Sequence, residues 1–221
     1  MIKAVIFDMD GLLIDSEPLW QEAEIEEFQK VGVKLTKELC MQTMGLRLDE
    51  VVKHWHSQYP WNNLSLEEVE KNVITKLTTL IKDKGQPLPG VFATINLLVD
   101  LKMPIAIASS SPLNLIHAVA EKFNIKHLFH TIHSAEFEKK GKPDPAIFIS
   151  TAKFLSVTAE SCLVFEDSYN GLLAAKNAGM KTVCVPNQDY YTNKKFDIAD
   201  LKINSLEDFT LEHLNQFNRE I

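Results

Sequence analysis

Four short, nearly unbroken apolar runs alternate with segments of helical period, and no other feature restricts the fold of this chain as much. The runs are residues 2–7, 104–108, 162–165 and 182–185. Apolar residues on both sides of a strand mark a sheet covered on two faces, which is the environment of parallel strands. Between the later runs lie helical patterns at residues 113–123, 145–155 and 170–178. Ser111 is the expected N-cap of the first, with Pro112 at its first position, and Gly179 stops the last. Strands and helices in alternation predict an α/β fold built on a doubly wound parallel sheet.

One block breaks the alternation. Residues 15–88 carry helical signals and no strand. Residues 17–31 are amphipathic and run into Gly32; residues 37–44 and Leu48–Gln58 follow; Leu66–Lys84 begins behind Ser65 with Glu68 three positions on, a capping box. Gly85, Pro87, Pro89 and Gly90 punctuate the return. The expectation is a core of residues 1–14 and 89–221 with an all-helical domain, residues 15–88, inserted between its first two strands. Hinges fall at residues 13–16 and 87–90, and a last helix at residues 211–217. The 221 residues suffice for both units.

The formal net charge of −7 disfavours tracking of a nucleic-acid backbone but leaves room for a small anionic substrate in one positive pocket. Cys40, Cys162 and Cys184 are odd in number and widely spaced, as in a reducing compartment. No apolar stretch is long enough for a bilayer or a signal sequence. These features predict a cytoplasmic protein that binds neither membrane nor nucleic acid. Without a heptad seam or a spare apolar stripe, a monomer is expected.

Ligands of open parallel sheets sit beyond the carboxyl ends of the strands. After the first run stand Asp8, Asp10 and Gly11; after the second, Ser109, Ser110 and Ser111; before the helix at 145, Lys142; after the third, Glu166, Asp167 and Ser168. Four carboxylates gathered at one rim repel each other, and a divalent cation with oxygen ligands relieves that repulsion. Mg²⁺ takes few carboxylates and shares its shell with phosphate oxygens. Ser109 and the amide of Ser110, near a helix N-terminus, suit a phosphate, and Lys142 suits its remaining charge.

Asp8-Met9-Asp10-Gly11, Ser109, Lys142 of Gly-Lys-Pro and Glu166-Asp167 resemble, in order and context, the four motifs of the haloacid dehalogenase superfamily. The resemblance spans nearly the whole chain and implies a Rossmann-like core with a helical cap. It implies a Mg²⁺-dependent phosphatase acting on a small sugar or sugar-alcohol phosphate. Asp8 would be the nucleophile, forming an aspartyl-phosphate. Asp10 would be the acid and then the base. Asp8, the Asp10 carbonyl, Asp167 and Glu166, the last directly or through water, would hold the metal. Ser109, Ser110 and Lys142 would hold the phosphoryl group. Glu17, Trp20 and Arg47 are the cap residues expected at the substrate. The alternative is a sugar phosphomutase of the same fold; such members tend to carry a His about where Trp20 stands. His54 and His56 are read as structural rather than as a metal pair, because positions i and i+2 of a helix point apart.

Overall fold

The computed structural model describes residues 1–219. Among them are six strands: β1 (Ala4–Phe7), β2 (Ile105–Ser109), β3 (Thr131–Ser134), β4 (Cys162–Glu166), β5 (Lys181–Cys184) and β6 (Leu201–Lys202). They form one sheet in the order β3-β2-β1-β4-β5-β6, with every pair parallel. The order reverses between β1 and β4, so the crevice beyond their carboxyl ends is where a ligand is expected.

Side chains alternate across the sheet. Val5, Phe7, Ile105, Ile107, Leu163 and Phe165 belong to one apolar cluster. The register sets Phe7 beside Phe165, and their rings stack 5.0 Å apart. α5 (Val91–Asp100) and α6 (Leu113–Lys122) cover that face through Ile95, Leu98, Leu115 and Val119, joined by α9 (Leu211–Arg219). The opposite face presents Ala4, Ile6, Ala106, Ala108 and Val164 to α7 (Ala146–Phe154) and α8 (Tyr169–Asn177). Its alanines let Phe148, Ile147 and Ala174 approach closely. Burying one such Ile or Phe is worth roughly 1.5–3 kcal/mol.

Between β1 and α5 lie four helices: α1 (Glu17–Lys30), α2 (Lys37–Cys40), α3 (Leu48–Gln58) and α4 (Leu66–Lys84). Ser65 and Glu68 close the expected capping box on α4. α4 packs on α1, α3 and α6. Its Val73, Leu77 and Ile81, together with Phe28 and Trp55, belong to the same apolar cluster as Phe7. The two chain segments joining helices to sheet are tied side by side: Asp15 N–H donates to the Gln86 carbonyl and Leu88 N–H to that of Leu13.

Several boundaries differ from the sequence reading. Ser109 and Glu166 are the last residues of their strands rather than the first beyond them, because the ladder still pairs them with Ser134 and Cys184. The segment 37–44 divides into α2 and a tighter turn, Met41–Thr43. Ser111 does not cap α6; Pro112 holds that position and the Ser111 hydroxyl points elsewhere. α5, β3 and β6 have no counterpart in the sequence reading. No helix of the described residues is long and apolar enough to cross a membrane.

Candidate active site

The carboxyl ends of β1, β2 and β4 bring Asp8, Asp10, Ser109, Ser110 and Asp167 to one cavity, and the segment between β3 and α7 adds Lys142. Lys142 is its centre of charge. Only 2% exposed, its ammonium donates to Asp8 Oδ1 at 2.6 Å and to Glu166 Oε1 at 2.5 Å. Burial alone would lower the lysine's pKa, but the two carboxylates outweigh it and the value is raised. Glu166, fully buried at the end of β4, spends its second oxygen on the backbone N–H and hydroxyl of Ser168. It is therefore placed to hold Lys142 and the start of α8. A Cβ on Gly171, one turn into α8, would overlap the Glu166 carboxylate.

Asp8, Glu166 and Asp167 each offer an oxygen within 4.8 Å of the others. Asp8 is pushed up to about 8, chiefly by burial; Lys142 opposes this, while Glu166 and Asp10 add repulsion. Asp167 is also raised, by burial first and then by Glu166 and Asp8. Three close carboxylates facing one ammonium retain negative charge that protons alone relieve at neutral pH. This donor set, all oxygen and crowded, fits a hard divalent cation. Gly11, at φ +70°, is required for the approach of Asp167, whose carboxylate fills the space a Cβ would take.

Asp10 is held from two sides. Its Oδ1 accepts from Ser16 Oγ at 2.7 Å and from Trp20 Nε1 at 2.8 Å, both at the start of α1. Its Oδ2 accepts from Ser111 Oγ at 2.7 Å and, more weakly, from Ser109 Oγ at 3.4 Å. Ser110 Oγ donates across to the Gly45 carbonyl at 3.1 Å.

Beyond Asp10 the cavity, of about 100 Å³, passes under the helices. Glu17, Trp20, Gln21 and Glu24 line it from α1; Met41, Met44, Leu46 and Val51 line it from the segment between α2 and the middle of α3. Glu17 is half-buried, and its carboxyl is raised by burial with Asp15 and Asp189 adding. Arg47 does not reach this space. Its guanidinium donates to the Ala135 and Glu138 carbonyls at 3.1 and 2.8 Å and pairs with Asp49 at 2.9 Å, so it spans from α3's start to the turn after β3. His54 and His56 take separate partners, Gln58 and the Trp61 carbonyl.

Glu24 is the residue that sequence reasoning overlooks. It is buried, yet Oε2 has no hydrogen-bond partner. Its carboxyl is pushed up to about 7 by burial, with the neighbouring Cys40 thiol only partly offsetting this. The signal is available in the spacing: Ser16, Trp20 and Glu24 repeat every four residues and share one face of α1.

The family model described as haloacid dehalogenase-like hydrolase matches residues 5–185. Hexitol phosphatase B of Escherichia coli strain K12 is 37% identical over 214 residues, 96% of either chain. Among solved structures, CbbY from Rhodobacter sphaeroides in complex with phosphate superposes with a TM-score of 0.89 at 24% identity, covering 97% of this chain and 100% of that one. A β-phosphoglucomutase from Clostridium difficile gives 0.86 at 24% identity, covering 100% and 98%. At these identities the two structures bear on the fold alone.

Proposed function

This chain belongs to the haloacid dehalogenase-like hydrolases, and from that premise we propose that it is a Mg²⁺-dependent phosphatase of small sugar or sugar-alcohol phosphates, working through an aspartyl-phosphate on Asp8. The observation that carries the reading is the buried Lys142 ammonium shared between Asp8 and Glu166, with Lys142 and Asp8 lining the cavity. Helices α1–α4, residues 15–88, act as a cap over the core formed by residues 1–14 and 89–221. Asp8, Asp167 and the Asp10 carbonyl are the metal's protein ligands, with Glu166 beside them; the cation supplies charge that lets an anionic nucleophile meet an anionic phosphate.

Lys142 orients the Asp8 carboxylate and screens the phosphate drawn towards it. Asp8 attacks phosphorus, the ester P–O bond breaks, and the leaving alcohol oxygen takes a proton from Asp10. In the second half Asp10 takes a proton from water, whose oxygen attacks the aspartyl-phosphate and releases inorganic phosphate, restoring Asp8. The hydrogen bonds on Asp10 decide which oxygen carries the proton. Trp20 Nε1 only donates, so it keeps Oδ1 an acceptor. A serine hydroxyl also accepts, so Ser109 and Ser111 tolerate the proton on Oδ2. Ser109 and Ser110, just ahead of α6, line the phosphate's seat.

The lining favours hydrolysis over the phosphomutase alternative. A mutase must hold a bisphosphate with either phosphate at Asp8, which needs a second cationic site. Lys142 is the only cation among the lining residues, and Arg47 is committed to carbonyls of the core. Incubation with Mg²⁺ and a labelled sugar phosphate should release inorganic phosphate and leave transient label on Asp8, both lost in Asp8→Asn. Conversion of a hexose 1-phosphate to its 6-isomer instead would overturn the reading.

A further inference from the structure

The geometry assigns Glu24 as the residue that recognises the substrate at the end of the cavity remote from Asp8: its unpartnered carboxyl oxygen bonds a hydroxyl of a neutral polyhydroxylated chain and turns away esters whose far end is anionic. This deepens the phosphatase reading and rests on it.

A buried carboxyl oxygen without a partner is costly, on the order of 1–3 kcal/mol, and calls for a ligand or a reason. Glu24 has such an oxygen, is 6% exposed, and borders the cavity. Its place on α1 sets the distance. Trp20, four residues before it, bonds the proposed acid/base Asp10. One further helical turn carries Glu24 about 6 Å deeper. The phosphate end and the Glu24 end are thus separated by a span suited to a short carbon chain. The walls between them differ in character. α1 offers Glu17, Gln21 and Glu24 beside Trp20, whereas the lining residues between 40 and 51 are mainly apolar, Met41, Met44, Leu46 and Val51 among them. An extended polyol presents hydroxyls to the first wall and C–H groups to the second.

Charge at the far end narrows the class. Glu17 and Glu24 are the charged lining residues contributed by the helices, and no cation accompanies them. A second phosphate or a terminal carboxylate would sit against them without compensation. A hydroxyl suits Glu24 whether or not its carboxyl carries a proton, since a hydroxyl both donates and accepts. Burial that brings this carboxyl to about 7 makes both forms available near neutral pH.

Two esters differing only at the remote end test the assignment: glucitol 6-phosphate, ending in a hydroxymethyl group, and 6-phosphogluconate, ending in a carboxylate. Propyl phosphate, lacking hydroxyls, is the third probe. kcat/KM is measured with excess Mg²⁺ for the wild type, Glu24→Gln and Glu24→Leu. Glu27→Gln serves as control, because Glu27 is equally buried on α1 but pairs with Lys30 outside the cavity. The ratio of glucitol 6-phosphate to propyl phosphate should fall roughly 10- to 100-fold in Glu24→Leu. The preference for glucitol 6-phosphate over 6-phosphogluconate should narrow in Glu24→Gln, and neither ratio should move in Glu27→Gln. Turnover by the wild type with ratios that Glu24 substitutions shift less than about threefold, or that Glu27→Gln shifts as much, overturns this inference alone. Absence of turnover on all three esters overturns the phosphatase reading and this inference with it.

Discussion

The two sides of the cavity are built differently. On the sheet side three of the four acidic groups have hydrogen-bond partners: Asp8 and Glu166 share Lys142, Glu166 also takes two bonds from Ser168, and Asp10 takes four donors. On the helical side Glu24 keeps an oxygen without a partner, and the surrounding groups are mostly apolar. Strand ends fixed by a parallel ladder hold charged atoms in place, which is what electrostatic catalysis requires. A helix laid across the opening can leave a polar group unmatched until something enters. On the proposed reading the sheet side would supply reactivity and the helical side discrimination.

The sharpest way to break this division is Lys142→Met. It leaves Asp8, Glu166 and Asp167 facing one another without their ammonium. Activity should fall on the order of 10²- to 10³-fold. Without metal, urea unfolding should show a loss of about 3–5 kcal/mol. A variant within tenfold of wild-type kcat would show that the sheet side does not depend on this charge.

Glu24→Gln probes the other side through stability. Its folded pKa, near 7, lies above the ordinary 4.5, so the folded state binds the proton more tightly than the unfolded chain. Glu24 therefore favours folding below about pH 4.5, and that contribution is lost as pH rises to about 7, by up to about 3 kcal/mol. Glu24→Gln should be more stable than the wild type at pH 8, by about 1–3 kcal/mol, and show less advantage at pH 5. Equal differences at both pH values in urea titrations would mean that the buried carboxyl costs nothing. A gain in stability alongside a loss of discrimination is the expected trade at a recognition residue.

The smallest effect is expected where the two sides meet. Arg47→Ala removes the bonds from the start of α3 to the Ala135 and Glu138 carbonyls. Amide exchange should quicken in α3 and around residues 135–141, with kcat/KM changing only a few-fold, because the partly buried Arg47–Asp49 pair and the two part-buried bonds each contribute about 1 kcal/mol and lie outside the cavity. Unchanged exchange would show that the helices are held down by apolar packing alone.

What the sequence discloses follows the same division. β1, β2, β4 and β5 are legible because each is buried on both faces and reads as an apolar run, and the acidic residues are legible because they terminate those runs. β3, Thr-Ile-His-Ser at the sheet's edge and half-buried at its start, has no such run, and β6 has two residues. α5 buries Val91, Thr94, Ile95 and Leu98 at helical spacing, but Phe92, Leu97 and Val99 on its other faces blur that period in the sequence. Pro112 displaces Ser111 from the cap of α6, which frees the hydroxyl for Asp10, a contact between residues 101 positions apart. Arg47 and Glu24 are charged residues on helices, which composition assigns to solvent. Only packing shows that Arg47 crosses to the turn after β3, whereas the four-residue spacing from Trp20 is the one sequence signal that Glu24 turns inward.

Gly171 extends this beyond the residues that bear charge. Its missing methyl is the volume occupied by the carboxylate that steadies the lysine. A mutation to alanine, favourable by helix propensity alone, would crowd that carboxylate, which lies two contacts from Asp8 through Lys142. The chemistry of the rim is thus guarded by an atom that is not there, on a helix that never touches the substrate.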